Sequence, residues 1–393
     1  MFDAIVAGHL CIDIIPQFLS HATGAPEAFL TPGRLLEVGP AVVSTGGAVS
    51  NTGLSLAKLG LDVRLVARLG DDLVGGLTRQ VVERAGAQLG EGLTLAQGEP
   101  SSYTVVISPP GVDRIFLHCP GTNNTFGPED VSDDLLAAAR LFHFGYPPIM
   151  RRMYADGGGE LQALLARAER LGATTSLDMS LPDPSSDSGR ADWRAILERA
   201  LPHVHLFLPS AEELLYMLER PAYEDALRDP RGPVDALSVE QIAALADAAL
   251  AMGARVVGIK LGHRGLYLRS APSLGDLGRG APAQASRWAG REVWAPCFEV
   301  PVASTVGSGD ATIAGLLAGI LRGQDPLAAV TTAVAVGACN VEAADATSGV
   351  RTWEDTRHRI GAGWSRLDAG VPAEGWRWNA EAGIWQGPRD TAP

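Results

Sequence analysis

STVGSGDATIAGLLAGIL (304–321) carries a glycine turn that runs directly into an apolar helix. Gly307, Ser308, Gly309 and Asp310 fall at the mouth of that helix. Unpaired backbone N–H groups and the positive end of the helix dipole converge there. With no side chain at 307 or 309, a phosphoryl group can approach those amides, and they can hold the charge it develops during transfer. Asp310 would lie beside it. The dipole is expected to lower its pKa and keep it ionised, ready to accept a hydroxyl proton late in a loose transition state. Gly315 and Gly319 further along allow close packing or close approach of a ligand. In a chain with 46 glycines the four-residue match alone is weak, and an ordinary glycine-turn helix cap is the plain alternative.

A second constellation lies far upstream, in VSTGGAVSNTGLSLAKLG (43–60). Gly46 and Gly47 open a helix with Asn51 one turn in, so backbone amides and an amide side chain can meet a polyol hydroxyl. Read alone, the segment also fits a tight strand-to-helix turn with an exposed Asn. Asp13 follows the first strand, where a parallel sheet commonly binds ligands, although a turn residue would look the same. No GxxxxGK[ST] and no GxGxxG after the first strand occur, which argues against a Walker-type enzyme and a nicotinamide dehydrogenase. His9, His118 and His143 show no metal-binding spacing and read as hydrogen-bonding residues in or near strands.

Around these two regions, short β-rich runs alternate with amphipathic stretches, the pattern of a parallel sheet covered by helices on both faces. The strand candidates are 3–8, 63–70, 140–145, 174–179, 205–209 and 255–262. The helix candidates are 48–60, 73–86, 159–172, 210–219, 238–253, 309–322 and 325–343. Two segments break the alternation, 14–45 and 99–118. The second reads as a hairpin turning near Pro110-Gly111, and together they predict a small projecting β-sheet. The segments 181–192, 220–236 and 270–291 read as surface insertions. The tail 364–393, with Trp364, Trp376, Trp378 and Trp385, carries no legible role.

A chain of 393 residues, 46% hydrophobic and 20% charged, can bury a full core. Its formal net charge of -13 argues against nucleic acid or an anionic membrane as the main partner. Cys11, Cys119, Cys297 and Cys339 lie far apart and fit buried free thiols of a reducing cytosol. The N-terminus has Asp3 where a signal peptide has basic residues, and 311–321 is too short to span a bilayer; a cytoplasmic location is expected.

GG-x-x-x-N near residue 50 and T-x-G-x-G-D near residue 310, in that order and separation, resemble the two signature regions of the ribokinase-like (PfkB) carbohydrate kinases. The likeness extends to Gly8–Asp13, PGTNNTFGPEDV (120–131), PSAEEL (209–214) and IKLGHRG (259–265), and covers 3–360. It implies an α/β, ribokinase-like three-layer sandwich with a mostly parallel central sheet and a small β-sheet lid. The main domain would comprise 1–13, 46–98 and 119–363, and the lid 14–45 and 99–118. It further implies Asp310 as general base and an anion hole from the N–H groups of Gly307, Ser308 and Gly309. Asp13, Gly46, Gly47 and Asn51 would hold substrate hydroxyls; Ser210, Lys260, Gly262 and Gly265 would lie along the nucleotide. Glu213 takes the place of the glutamate that holds Mg²⁺ through water.

The implied reaction is transfer of the ATP γ-phosphoryl group to a hydroxyl of a sugar, sugar acid or cyclitol, with a homodimer through the lid as the implied assembly. A nucleoside kinase and a catalytically silent sugar-binding protein are the alternatives on the same fold. Two departures stand out. Ser304 replaces the Asp that helps form a monovalent-cation site in several relatives, which leaves K⁺ unassigned, and Ser210 replaces the usual Asn of N-x-x-E.

Overall fold

The computed structural model describes residues 1–19, 32–33, 35–109, 115–371 and 374–391. The expected turn at Pro110-Gly111 and much of the 14–45 segment lie outside these residues. Seven strands run parallel: β5 (Leu93–Ala96), β4 (Val63–Gly70), β1 (Phe2–Gly8), β8 (Ala139–Gly145), β9 (Thr174–Leu177), β10 (Leu206–Phe207) and β11 (Val256–Lys260), side by side in that order. Strands buried on both faces need no polar alternation, and β1 accordingly reads FDAIVAG. Its residues divide by the period of two: Ile5 and Ala7 enter one apolar core, Ala4 and Val6 the other.

Helices Gly159–Arg170, Trp193–Ala200 and Val239–Ala251 cover the first core, and Ala48–Lys58, Ser308–Leu321 and Pro326–Asn340 the second. This is the expected three-layer arrangement. Antiparallel strands β12 (Leu266–Ser270) and β13 (Glu292–Ala295) extend the sheet beyond β11.

The tail, whose role its composition did not disclose, completes that edge. β14 (Arg377–Asn379) and β15 (Ile384–Gln386) continue the sheet through β13. Trp376 is buried there against Trp294 and Tyr267, with ring centroids 6.1 and 6.3 Å away. The 220–236 insertion is not loop throughout; it forms helices Arg220–Ala226 and Pro233–Ala236.

A separate four-stranded sheet is ordered β3 (Ala41–Gly46), β2 (Cys11–Pro16), β6 (Tyr103–Ile107), β7 (Ile115–Cys119). A small separate sheet was expected, but its strands reach beyond 14–45 and 99–118: Cys11–Asp13, Gly46 and Cys119, placed in the main domain by the sequence, pair within it. β2 begins only two residues after β1 ends, so the small sheet joins the main one at the C-terminal end of β1, the edge at which parallel sheets commonly bind ligands. Among the described residues, no helix is long and apolar enough to cross a membrane.

Candidate active site

The helix Ser308–Leu321 begins at Gly307, whose φ of 68° places it in the left-handed region. A side chain there would also meet the carbonyl oxygen of Ala346 at 2.5 Å, so glycine is required twice over. Of the three amides expected to form the anion hole, the Ser308 N–H already donates to the Thr305 carbonyl at 3.3 Å. The N–H groups of Gly307 and Gly309 have no such partner among the described residues, so the open amides are those of the two glycines.

Asp310, the third residue of that helix, is only 3% exposed. Its carboxylate accepts from Asn51 Nδ2 at 3.0 Å, from Thr52 Oγ1 at 3.4 Å and from the Tyr146 hydroxyl at 2.9 and 3.0 Å. Asn51 is buried, which removes the exposed-turn reading of its segment. Burial raises the Asp310 pKa, and this outweighs the opposing pull of Lys260 and of the three hydrogen bonds. The dipole argument had pointed the other way; withdrawal from water is the larger effect. The Tyr146 phenol is pushed well up by burial and by the charge of Asp310, so it stays protonated and donates.

The residues expected to hold substrate hydroxyls gather around the junction of the two sheets. The half-buried Asp13 lies on β2, and a side chain on Gly46 would meet its carboxylate at 2.3 Å. Gly47 has φ 92°, and a Cβ there would meet His9 Nδ1 at 2.4 Å. Burial raises the Asp13 pKa, against hydrogen bonds from Cys11 and Thr104. Among the described residues His9, His118 and Cys11 bring ligand atoms within 4.8 Å of one another, close enough to hold a metal ion, a grouping that their sequence spacing does not reveal. His9 Nε2 lies 3.4 Å from His118 Nε2, and His143 Nδ1 lies 2.9 Å from the Ser176 hydroxyl. His9, pushed down to about 3 by burial, is neutral. The four cysteines are free thiols.

A cavity of about 210 Å³ opens on the other side of the helix mouth. Lys260, Gly262, Gly265, Ser308 and Gly309 line one end, and Phe298, Val300, Val302, Val341 and Leu367 form an apolar wall. Gly262 and Gly265 take positive φ, 54° and 100°, and a Cβ on Gly265 would collide with the Ala295 carbonyl. Ser210 does not line this cavity. It caps the helix Ala211–Leu218 in a capping box with Glu213: the Ser210 hydroxyl accepts from the Glu213 N–H at 3.2 Å, and Glu213 Oε2 accepts from the Ser210 N–H at 2.6 Å.

The motifs did not reveal Tyr146 and Thr52, which hold Asp310, or Asp178, whose carboxylate pairs with Lys260 of the cavity lining. Tyr146 follows β8 and Asp178 follows β9, each at the C-terminal end of a parallel strand. That position is the signal that could have found them. Tyr146 also holds φ 67°, a strained value for a side chain of its size, and strain of that kind concentrates at functional sites.

The pfkB family of carbohydrate kinases matches residues 1–353. An uncharacterized sugar kinase of Archaeoglobus fulgidus is 23% identical over 272 residues, 69% of this chain and 88% of that protein. Probable fructokinase-3 of Arabidopsis thaliana is 22% identical over 223 residues, 56% of this chain and 59% of that protein. Among solved structures, fructokinase with bound ATP from Xylella fastidiosa superposes with a TM-score of 0.69 at 20% identity, covering 92% of this chain and 99% of that one. A putative ribokinase II of E. coli in complex with ATP and Mg²⁺ gives 0.66 at 17%, covering 92% and 100%. With nine-tenths of the chain matched by the family and the fold shared with its solved kinases, this protein belongs to the pfkB family of carbohydrate kinases.

Proposed function

We propose that this sugar kinase transfers the γ-phosphoryl group of ATP to a hydroxyl of a sugar, sugar acid or cyclitol, with Asp310 as the general base. One observation carries the reading. A buried carboxylate stands at the mouth of the 308–321 helix, between a cavity bounded by Ser308 and Gly309 and a set of polar side chains led by Asn51. The cavity's apolar wall suits a nucleotide base, and its end at Gly309 suits the phosphates. Asp13, Asn51 and the backbone at Gly46 and Gly47 would orient the acceptor hydroxyl.

In the transfer, the acceptor oxygen bonds to the γ-phosphorus while the bond to the β,γ-bridging oxygen breaks, its electron pair leaving on ADP. The hydroxyl proton passes to Asp310. The open amides of Gly307 and Gly309 would hold the charge on the phosphoryl oxygens. Asn51, Thr52 and Tyr146 keep the carboxylate aimed. Glu213 fits a hard cation held through water, because Ser210 engages only its Oε2 and leaves the other oxygen available. Mg²⁺ bound there would neutralise the bridging phosphates. Ser304 turns its hydroxyl into its own loop, accepting from the Val306 N–H, so no carboxylate stands at that place to serve a K⁺.

The test is a panel of sugars, sugar acids, cyclitols and nucleosides with Mg-ATP and coupled detection of ADP, repeated with Asp310→Asn. Turnover of at least one polyol is expected. The variant should lose about 100-fold or more in kcat while binding ADP nearly as well. Near-normal turnover in the variant would remove Asp310 as base. Turnover confined to nucleosides would replace the sugar with a nucleoside as acceptor.

A further inference from the structure

Lys260 closes β11 with its side chain turned inward and 12% exposed. Its ammonium forms a 2.5 Å ion pair with Oδ1 of the buried Asp178. Its stem runs alongside the helix mouth: a Cβ built on Gly309 would stand 3.5 Å from Lys260 Cδ and 3.8 Å from Nζ. The same lysine lines the cavity that ends at Gly309.

A buried ion pair is a poor device for stability alone, since desolvating both charges offsets most of their attraction. This pair is also unbalanced. Asp178, Glu213 and Asp310 all lie within electrostatic reach of the one ammonium. A phosphoryl group entering beside Gly309 would bring further negative charge toward Asp310, which must itself be ionised to act as base. A fixed cation at that corner offsets the repulsion, and it acts most strongly as charge spreads onto the equatorial oxygens.

We propose that Lys260 is a catalytic residue whose ammonium meets the phosphoryl group in flight beside Gly309, and that Asp178 is the positioning residue that holds it there. The assignment rests on the kinase reading above and goes beyond a lysine that merely borders the nucleotide. Lys260 stays protonated throughout. The acceptor oxygen gains the γ-phosphorus, ADP leaves with the electron pair of the broken bond, and the proton goes to Asp310.

Lys260→Met, Asp178→Asn and the double variant test it, read by steady-state kinetics and by binding of ADP with and without aluminium fluoride, a mimic of the transferring phosphoryl group. Lys260→Met should lower kcat about 100-fold or more, with the KM for ATP and the affinity for ADP alone within about 3-fold of wild type. It should also abolish the extra affinity that aluminium fluoride confers on ADP. Asp178→Asn should lower kcat about 10-fold, because the ammonium remains without its anchor. Lys260→Met leaves the Asp178 carboxylate buried without its partner; the double variant removes both charges of the pair and should melt above Lys260→Met while keeping the low kcat.

A double variant with wild-type kcat would make the pair structural and overturn the proposal. So would a Lys260→Met enzyme whose whole defect lies in the KM for ATP. A wild-type protein that phosphorylates nothing in the panel would instead overturn the kinase reading, with the aluminium fluoride comparison still deciding whether Lys260 binds a phosphoryl group.

Discussion

Asp310 shows how one residue answers to two scales of electrostatics. The local field of a helix N-terminus favours the carboxylate, but removal from water favours the neutral acid, and the pKa lies above the ordinary carboxylate value. Below that raised pKa the group is protonated and cannot accept a proton. The rate should therefore fall as pH drops through a value above the usual carboxylate range, and a pH profile of kcat checks this. A limb at or below the range of free carboxylates would contradict it. The sign for stability is opposite. The folded chain holds this proton more tightly than the unfolded chain, so at neutral pH ionised Asp310 detracts from stability. Asp310→Asn should thus melt no lower than wild type while losing activity. The motif was legible in four residues; the direction of the pKa shift was not, because burial is a sum over residues distant in sequence.

At the scale of elements, the C-terminal ends of the parallel strands do most of the assembly. Tyr146 after β8, Asp178 after β9 and Lys260 at the end of β11 arrive at one place because neighbouring parallel strands end side by side. The start of the 48–58 helix is fixed as tightly. Gly47 takes a left-handed φ of 92° and abuts both the ring and the carbonyl of His9. Gly47→Ala should combine backbone strain with that collision and shift the helix that carries Asn51. A loss of at least about 2 kcal/mol in stability and a clear rise in the KM for the acceptor are expected, measured by denaturant unfolding and kinetics. An alanine variant with native stability would show that the turn can relax. Paired glycines before a helix could be read from sequence. The reason for them, His9 just after β1 pressed against the turn, required the packed strands.

The whole molecule depends on its last residues more than their composition suggests. Arg291, buried beside β13, pairs with Asp390 at 2.7 Å, and Arg389 reaches the buried Glu292 at 2.7 Å. Deleting residues 374–393 would remove β14 and β15, uncover Trp294 and leave the Arg291 guanidinium without its carboxylate. Breaking such a buried pair costs about 3–5 kcal/mol, so a fall of several degrees in Tm is expected from calorimetry. A truncated chain that melts with the intact one would reduce the tail to an ornament of the edge. By itself the sequence determined the alternation of strands and helices, the glycine mouth at 307–310 and the paired glycines before Asn51, because apolar period, backbone freedom and helix-end chemistry are encoded within a few neighbouring residues. Only the tertiary structure decided that Tyr146 and Asn51 would grip Asp310, that Asp178 would hold Lys260 beside Gly309 and that the tail would finish the sheet. Those contacts join residues from 82 to 259 positions apart, or strands from opposite ends of the C-terminal third, and only the packing of the strands sets their distances.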